Sequence, residues 1–359
     1  MTESVTISEE GALRPTTLES FVGQESILEQ IQVSLISALR RKAPFPHLLL
    51  AGPPGLGKTT LAEIVARERG VPFISAMASS ISSDEELDAI FGKLPIDGYD
   101  VRTGKVVDED SVIQAVVFVD EVHRLKRSVT ETLHTALEDF RVTLKKKNPV
   151  TGQNNAELYW LPRFTFIGAT NYLGTLPRPF VDRFPLQFIF ETYSDEDLSS
   201  VISFSSKQLG FNIDSDSIAV IANKSRGTPR IANRFLLLCR DVAIAMLDGS
   251  VEFDNSITIQ HVEEMLRIQE IDDLGLSRLD RRVLQYLATM KRPVGLKSVA
   301  QGVDEDVKTI EFFVEPWLVK QKLIAKTSRG RIVTTLGQRH IGDQVEDLDT
   351  FGLRRLVQS

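Results

Sequence analysis

The residues with the most definite chemistry are Gly52-Pro53-Pro54-Gly55-Leu56-Gly57-Lys58-Thr59, which match the phosphate-binding loop pattern G-x-x-x-x-G-K-[ST]. The glycines Gly52, Gly55 and Gly57 let backbone N–H groups converge on phosphate oxygens, and the Lys58 ammonium reaches the terminal phosphates. Thr59 offers a hydroxyl to Mg²⁺. A second pair, Asp120-Glu121, closes the apolar run Ala115-Val116-Val117-Phe118-Val119. Asp120 suits the Mg²⁺ shell and Glu121 suits the orientation and polarisation of an attacking water. The run Phe164-Thr165-Phe166-Ile167 ends in Gly168-Ala169-Thr170-Asn171. Asn171 is the better candidate to hydrogen-bond the γ-phosphate or the same water, and Thr170 is the fallback. Two arginines gain meaning from these neighbours: Arg183, in Val181-Asp182-Arg183-Phe184, and Arg230, after Gly227-Thr228-Pro229 at a helix start.

These side chains need a frame that holds strand ends and helix starts together. The loop follows the apolar run His47-Leu48-Leu49-Leu50-Ala51 and precedes a helix with Leu61, Ile64 and Val65 on one face. A ligand-free Gly/Pro turn would not require all four fixed positions and both flanks to agree. Pro72-Phe73-Ile74-Ser75 and Ala115–Asp120 continue a strand–helix alternation, which predicts an α/β core with a parallel sheet and helices on both faces. Residues 97–111 carry Gly and Asp at positions that predict a surface hairpin, and residues 142–160 predict a longer, protruding one with a polar tip.

From Thr192 the pattern becomes helical only, with a capping start at Ser194-Asp195-Glu196-Asp197. From Asp272 three helices and two short strands around Lys326-Thr327-Ser328-Arg329-Gly330 predict a winged helix. The expected organisation is a flexible arm (1–13), an ATP-binding core (14–191), an all-α lid (192–270), a winged-helix domain (271–342) and a tail (343–359). Lys326, Arg329 and Arg331 at the wing predict contact with DNA phosphates rather than readout of bases.

The composition excludes several other classes. With 42% hydrophobic and 25% charged residues, the 359-residue chain reads as globular, and the single Cys239 rules out a disulfide framework. No apolar run is long enough for a membrane span and the N-terminus lacks a signal-peptide core, which together with Cys239 predict a cytoplasmic protein. The net charge of −7 leaves DNA binding to local basic surfaces. The histidines show no metal-ligand spacing.

In order along the chain, Leu13-Arg14-Pro15 with Phe21-Val22-Gly23-Gln24, Gly52–Thr60, Val119–Leu125, Phe166–Thr170, Asp182-Arg183-Phe184, Arg226–Arg234, Pro293–Leu296 and Arg329–Arg331 resemble the RuvB family of AAA+ ATPases. Gly227-Thr228-Pro229-Arg230-Ile231-Ala232-Asn233-Arg234 is the most specific of these. The resemblance implies an ATP- and Mg²⁺-dependent motor that drives branch migration of four-way DNA junctions as a hexameric ring around duplex DNA. It implies that Arg183 acts on a neighbouring subunit's ATP, that Asn171 or Thr170 is a first sensor and Arg230 a second, and that Arg14, Phe21, Val22 and Thr60 join the nucleotide contacts. It also implies a junction-binding partner, RuvA, docked on the long hairpin.

The chain departs from the family pattern in places. Residues 97–111 read as an insertion, Val181 stands where an arginine is common, Pro185 replaces a glycine, and the tip Lys145–Asn155 is basic and amide-rich where an apolar one is expected. These changes put dependence on RuvA in question and leave ATP hydrolysis untouched. Two other functions fit the general motifs: an AAA+ loader or initiator ATPase, and a nucleotide-gated DNA-binding protein without motor activity. The Gly227–Arg234 segment disfavours the first, and intact Lys58, Asp120, Glu121 and Arg183 disfavour the second.

Overall fold

The computed structural model describes residues 9–97, 99–106, 114–147, 154–247 and 253–350. These form two compact units, one reaching to Phe211 and including Gly227–Arg234, the other taking Asn212–Arg226 and the chain from Phe235.

The first unit opens with α1 (Glu9–Ala12) and α2 (Glu25–Arg40), and is built on β1 (Leu48–Ala51), α3 (Lys58–Glu68) and β2 (Phe73–Met77). After α4 (Asp84–Phe91) come the small strands β3 (Tyr99–Asp100) and β4 (Lys105–Val106), then β5 (Ala115–Asp120) and α5 (Arg127–Asp139). The ribbon strands β6 (Arg141–Lys147) and β7 (Asn154–Trp160) precede β8 (Phe164–Thr170), α6 (Arg178–Val181), β9 (Leu186–Ile189) and α7 (Asp195–Leu209).

The five-stranded sheet runs β2-β5-β8-β1-β9 with every pair parallel. Its central strands are buried along almost their whole length, which is why their sequences read as unbroken apolar runs rather than alternating ones. The faces are covered by Leu61, Ile64 and Val65 of α3 and by Val129, Leu133, Ala136 and Leu137 of α5. Strand order matters for function: β8 lies between β1 and β5, so the residue after β8 sits between the loop after β1 and the carboxylates after β5. Ligands gather at such C-terminal strand ends.

The hairpin expected in 97–111 forms, with Tyr99 opposite Val106; Gly98 and 107–113 lie outside the described residues. It leans on the root of the longer ribbon. Trp160 N–H donates to Val101 O at 2.8 Å, and a Cβ on Gly104, whose φ is +70°, would come within 2.7 Å of the Trp160 ring. The ribbon itself is antiparallel from Arg141↔Trp160 to Lys147↔Asn154. The basic, amide-rich tip lies outside the residues whose side chains are described.

In the second unit β10 (Asn212–Ile213) pairs in parallel with β11 (Ser256–Ile257), beside α8 (Ser215–Lys224), α9 (Pro229–Ala245) and α10 (Ile259–Ile268). The first turns of α9 belong to the first unit. Three helical segments follow: α11 (Arg278–Met290), α12 (Leu296–Gly302), and a third formed by α13 (Val307–Thr309), a π-turn over Ile310–Val314 and α14 (Glu315–Lys320). They enclose Val283, Leu284, Leu287, Val299, Ile310, Val314 and Leu318. The antiparallel wing, β12 (Ile324–Thr327) and β13 (Gly330–Val333), gains a third partner where Val294 and Arg331 exchange both backbone hydrogen bonds at 2.8 Å. The chain continues as α15 (Thr335–Thr350), which the sequence pattern did not announce.

Ser277 caps α11, with Asp280 returning to the Ser277 backbone. Asp280 is buried, and its charge is met by Arg226. Among the described residues no helix is long and apolar enough to cross a membrane.

Candidate functional site

A cleft of about 470 Å³ opens at the C-terminal ends of β1, β5 and β8 in the first unit. It is lined by Gly55, Gly57, Lys58, Thr59 and Thr60 of the loop, by Asp120, Glu121 and Asn171, and by Arg230. Its apolar side has Leu13, Pro15, Phe21, Val22, Val201 and Phe204, with Arg14 beside them. A phosphate chain suits the first set and a flat, apolar base the second.

Lys58 begins α3, and Gly57 before it has φ +100°, a turn that a side chain would resist both by strain and by contact with the Phe21 ring. The Lys58 ammonium donates to Gly52 O at 2.7 Å, Pro53 O at 2.8 Å and Asn171 Oδ1 at 3.0 Å. Burial lowers its pKa to about 8, Asp120 opposes that shift and Arg230 adds to it. A phosphate arriving in the cleft therefore meets a lysine already oriented but short of negative charge.

The register decides between Asn171 and Thr170. Thr170 is fully buried, and its hydroxyl is engaged by the Tyr172 N–H at 3.0 Å and by His123 Nδ1 at 3.1 Å. Asn171, one residue beyond the strand, turns to Lys58. Asp120 Oδ1 accepts the Glu121 N–H at 2.8 Å, and Glu121 itself is left-handed at φ 56°, ψ 40°. Arg230 reaches the loop from α9: its N–H meets Gly55 O at 3.4 Å, and Gly55 has no room for a Cβ against Thr228 and Arg230.

Three expected sites do not line this cleft, and the second, Arg183, is expected to act outside its own chain's cleft. Gly52 is not a cleft residue: its N–H donates to Thr170 O at 3.1 Å, extending the sheet, so its contribution is the turn at φ +135° rather than a phosphate contact. Arg183 lies outside its own chain's cleft, pairing with Glu138 at 3.2 Å and donating to Pro179 O, while its buried Nε has no hydrogen-bond partner among the described residues. At the wing, the buried carboxylate of Glu315 takes Arg331 in a two-pronged pair at 2.8 and 3.3 Å and also pairs with Lys326. Arg331 is thus turned inward, Lys326 is half-exposed with its charge matched, and Arg329 makes no ion pair among the described residues. An internal carboxylate thus claims two of the three cations that the sequence offers to DNA phosphates.

Met77, Tyr193, Asn233 and Arg234 also line the cleft and were not singled out from the sequence. Asn233 and Arg234 follow Arg230 at helical spacing, a signal that could have found them. Tyr193 gave no such signal; its hydroxyl donates to Leu56 O at 3.2 Å.

A phosphate-binding loop joined to strand-end carboxylates, a strand-tip asparagine and a helix-borne arginine defines an ATPase of the AAA+ class, here followed by helical and winged-helix segments. The chain belongs to the RuvB family: residues 13–189 match the Holliday junction DNA helicase RuvB P-loop domain, 193–272 the RuvB AAA lid domain and 273–342 the RuvB C-terminal winged helix domain. It is 40% identical over 336 residues to the Holliday junction branch migration complex subunit RuvB of Thermobifida fusca (strain YX), covering 93% of this chain and 88% of that one. The protein of the same description from Methanoregula boonei is 38% identical, covering 93% of each. Among solved structures, the Thermotoga maritima RuvB Holliday junction branch migration motor superposes with a TM-score of 0.75 at 31% identity, covering 92% of this chain and 98% of that one.

Proposed function

We propose that this protein is an ATP-driven motor that moves the branch point of four-way DNA junctions during recombination and repair. The observation that carries the reading is the convergence of Lys58, Asn171, Asp120, Glu121 and Arg230 on one cleft in a chain of the RuvB family. Lys58 and the loop N–H groups hold the phosphates. Asn171 sits between Lys58 and the Asp120-Glu121 pair, placed to orient the terminal phosphate or the water, and Glu121 polarises that water. Arg230 follows the charge of the phosphates from α9.

Mg²⁺ fits this donor set. Thr59 and Asp120 both line the cleft, offering one hydroxyl and one carboxylate, and no cluster of three or more His, Cys, Asp or Glu side chains is present among the described residues. Such a sparse set suits an ion that takes most of its ligands from phosphate and water. When bound there by Thr59 and Asp120, the ion would supply positive charge to neutralise the phosphates.

Arg183, remote from its own cleft, is assigned to a neighbouring subunit's ATP, which makes the site complete only in a ring; a hexamer is the family's form. We place the core, lid and winged-helix divisions near residues 191 and 270, a reading supported by separate family matches over 13–189, 193–272 and 273–342. Cytoplasmic placement and a junction-binding partner of the RuvA kind agree with the relatives' description as subunits of a branch migration complex. The deciding experiment is dissociation of a synthetic four-way junction with ATP, with and without RuvA. Failure in both conditions, with ATP hydrolysis intact, would overturn the motor reading.

A further inference from the structure

One imidazole holds both neighbours of Asn171. His123 lies in the short helical turn Val122–Arg124 that follows β5. The turn is seated on β8, where a Cβ on Gly168 would come within 3.2 Å of Val122 Cγ1. From this seat His123 Nδ1 stands 3.1 Å from the Thr170 hydroxyl, whose oxygen accepts the Tyr172 N–H at 3.0 Å. Thr170 is fully buried and that oxygen is already an acceptor, so the hydroxyl proton goes to His123 Nδ1. Burial lowers the His123 pKa, Glu121 opposes the shift and Arg124 adds to it, which favours the neutral ring that can accept. The same ring meets Tyr172 edge-on, with centroids 4.8 Å apart and planes at 86°. The residues before and after Asn171 are therefore both tied to His123, and of these four only Asn171 lines the cleft.

We propose that His123 is a positioning residue for ATP hydrolysis: by holding Thr170 and Tyr172 it fixes the strand tip from which Asn171 meets the terminal phosphate or the attacking water. This rests on Asn171 having that role. An asparagine just past a strand has competing partners in its own backbone, and such local hydrogen bonds turn it away from a distant target. Pinning the residue on each side favours the approach seen in the 3.0 Å bond from Lys58. Thr170 O also accepts the Gly52 N–H at 3.1 Å, so the pinned tip and the phosphate-binding loop share one frame. His123 itself does not line the cleft, and its influence on turnover passes through Asn171.

The test is steady-state ATPase kinetics of His123→Phe and His123→Asn in the full chain, each alone and combined with Asn171→Ala. His123→Phe keeps a ring against Tyr172 and lacks the acceptor; it lowers kcat by about threefold to tenfold, the worth of one hydrogen bond. KM for ATP stays within about twofold, because the phosphate-holding residues are untouched. His123→Asn, whose Oδ1 accepts at the place of Nδ1, keeps kcat within about twofold of the parent. In the Asn171→Ala background His123→Phe costs no more than about 1.5-fold, the signature of two residues acting as one unit. Thr170→Val deletes the hydroxyl from the other side of the bond; it gives the same split, and replaces His123→Phe if that variant does not fold. A parent-like kcat in His123→Phe or Thr170→Val, a rise in KM that matches the fall in kcat, an asparagine variant as slow as the phenylalanine one, or losses that multiply in the Asn171→Ala background overturn the proposal. The two readings separate: a parent-like kcat in Asn171→Ala removes the role of Asn171 and the proposal with it, whereas a slow Asn171→Ala beside multiplying losses overturns only the positioning.

Discussion

Lys58 Nζ lies 3.0 Å from Asn171 Oδ1, although 113 residues separate them. The contact exists because β8 is inserted between β1 and β5, so the tip of the middle strand faces the loop after one neighbour and the carboxylates after the other. The asparagine accepts one of the three hydrogen bonds that the Lys58 ammonium donates, and in the proposed function it yields that place to a phosphate oxygen and turns toward the phosphate.

Asn171→Ala should therefore affect turnover more than binding. We expect kcat to fall by about 10- to 100-fold, the loss of one or two oriented hydrogen bonds, with nucleotide affinity changed by less than about fivefold. Calorimetric titration with a non-hydrolysable ATP analogue beside steady-state kinetics measures both. Equal losses in affinity and in kcat would place Asn171 in ground-state binding instead.

Nucleotide affinity should depend on pH through Lys58. Its pKa in the free protein is held down to about 8 by burial, and the phosphate chain restores the charged form, so binding above that pH takes up a proton. The sign follows: affinity is full below about pH 8 and falls by about tenfold per pH unit above it, until the bound lysine titrates in turn. Calorimetry in buffers of different ionisation enthalpy reads the proton directly. Lys58→Arg removes the dependence across pH 7 to 9.5.

The wing should separate structural from binding cations. Arg331→Ala leaves Glu315 buried with only Lys326 to meet its charge, and should lower the stability of the winged-helix segment by about 2–4 kcal/mol. Arg329→Ala should leave thermal stability unchanged while weakening duplex DNA binding and reducing the slope of log affinity against log salt by about one. Thermal unfolding and DNA titrations at several salt concentrations test the pair. Identical behaviour of the two variants would contradict the division.

His47 should give the ATPase core an acid-sensitive point. The ring is buried, with Nε2 placed to donate to Leu137 O at 3.0 Å and Nδ1 accepting the Phe166 N–H at 2.9 Å, which fixes it as neutral. Burial brings its pKa down to about 4. A lowered folded pKa means that the stabilisation is full above the unfolded value near 6.5 and is lost as pH falls through about 4, amounting to about 3 kcal/mol. Urea unfolding at pH 7 and pH 4.5 should show a smaller loss for His47→Gln than for the parent.

Much of the site was legible because its chemistry is local. The loop Gly52–Thr59 needs only its own glycines, a strand before it and a helix after it, and all of these leave marks within a few dozen residues. Asp120-Glu121 announced itself at the end of an apolar run for the same reason. Tyr193 left no mark, because it reaches the cleft through packing against Gly23 and a hydrogen bond to Leu56 O, contacts set by distant segments. The basic wing was visible as a cluster of charge, but whether each cation faces water or a carboxylate is not a local property.

The sequence by itself determined the inner strands β1, β5 and β8, the phosphate-binding loop, the paired carboxylates and the order of segments, since periodicity and short motifs encode backbone conformation directly, whereas the short β10–β11 pair, two residues a side, left no such mark. Tertiary structure alone decided which of Thr170 and Asn171 turns to Lys58, that the Gly52 N–H belongs to the sheet, and that Glu315 holds Arg331. It also decided that the Glu121 carboxylate rests on Arg124, a pairing that spacing permits but does not require. In each case the outcome depends on which of several possible hydrogen-bond partners is closest once the chain is packed, and that is fixed by strand order and burial rather than by residue type.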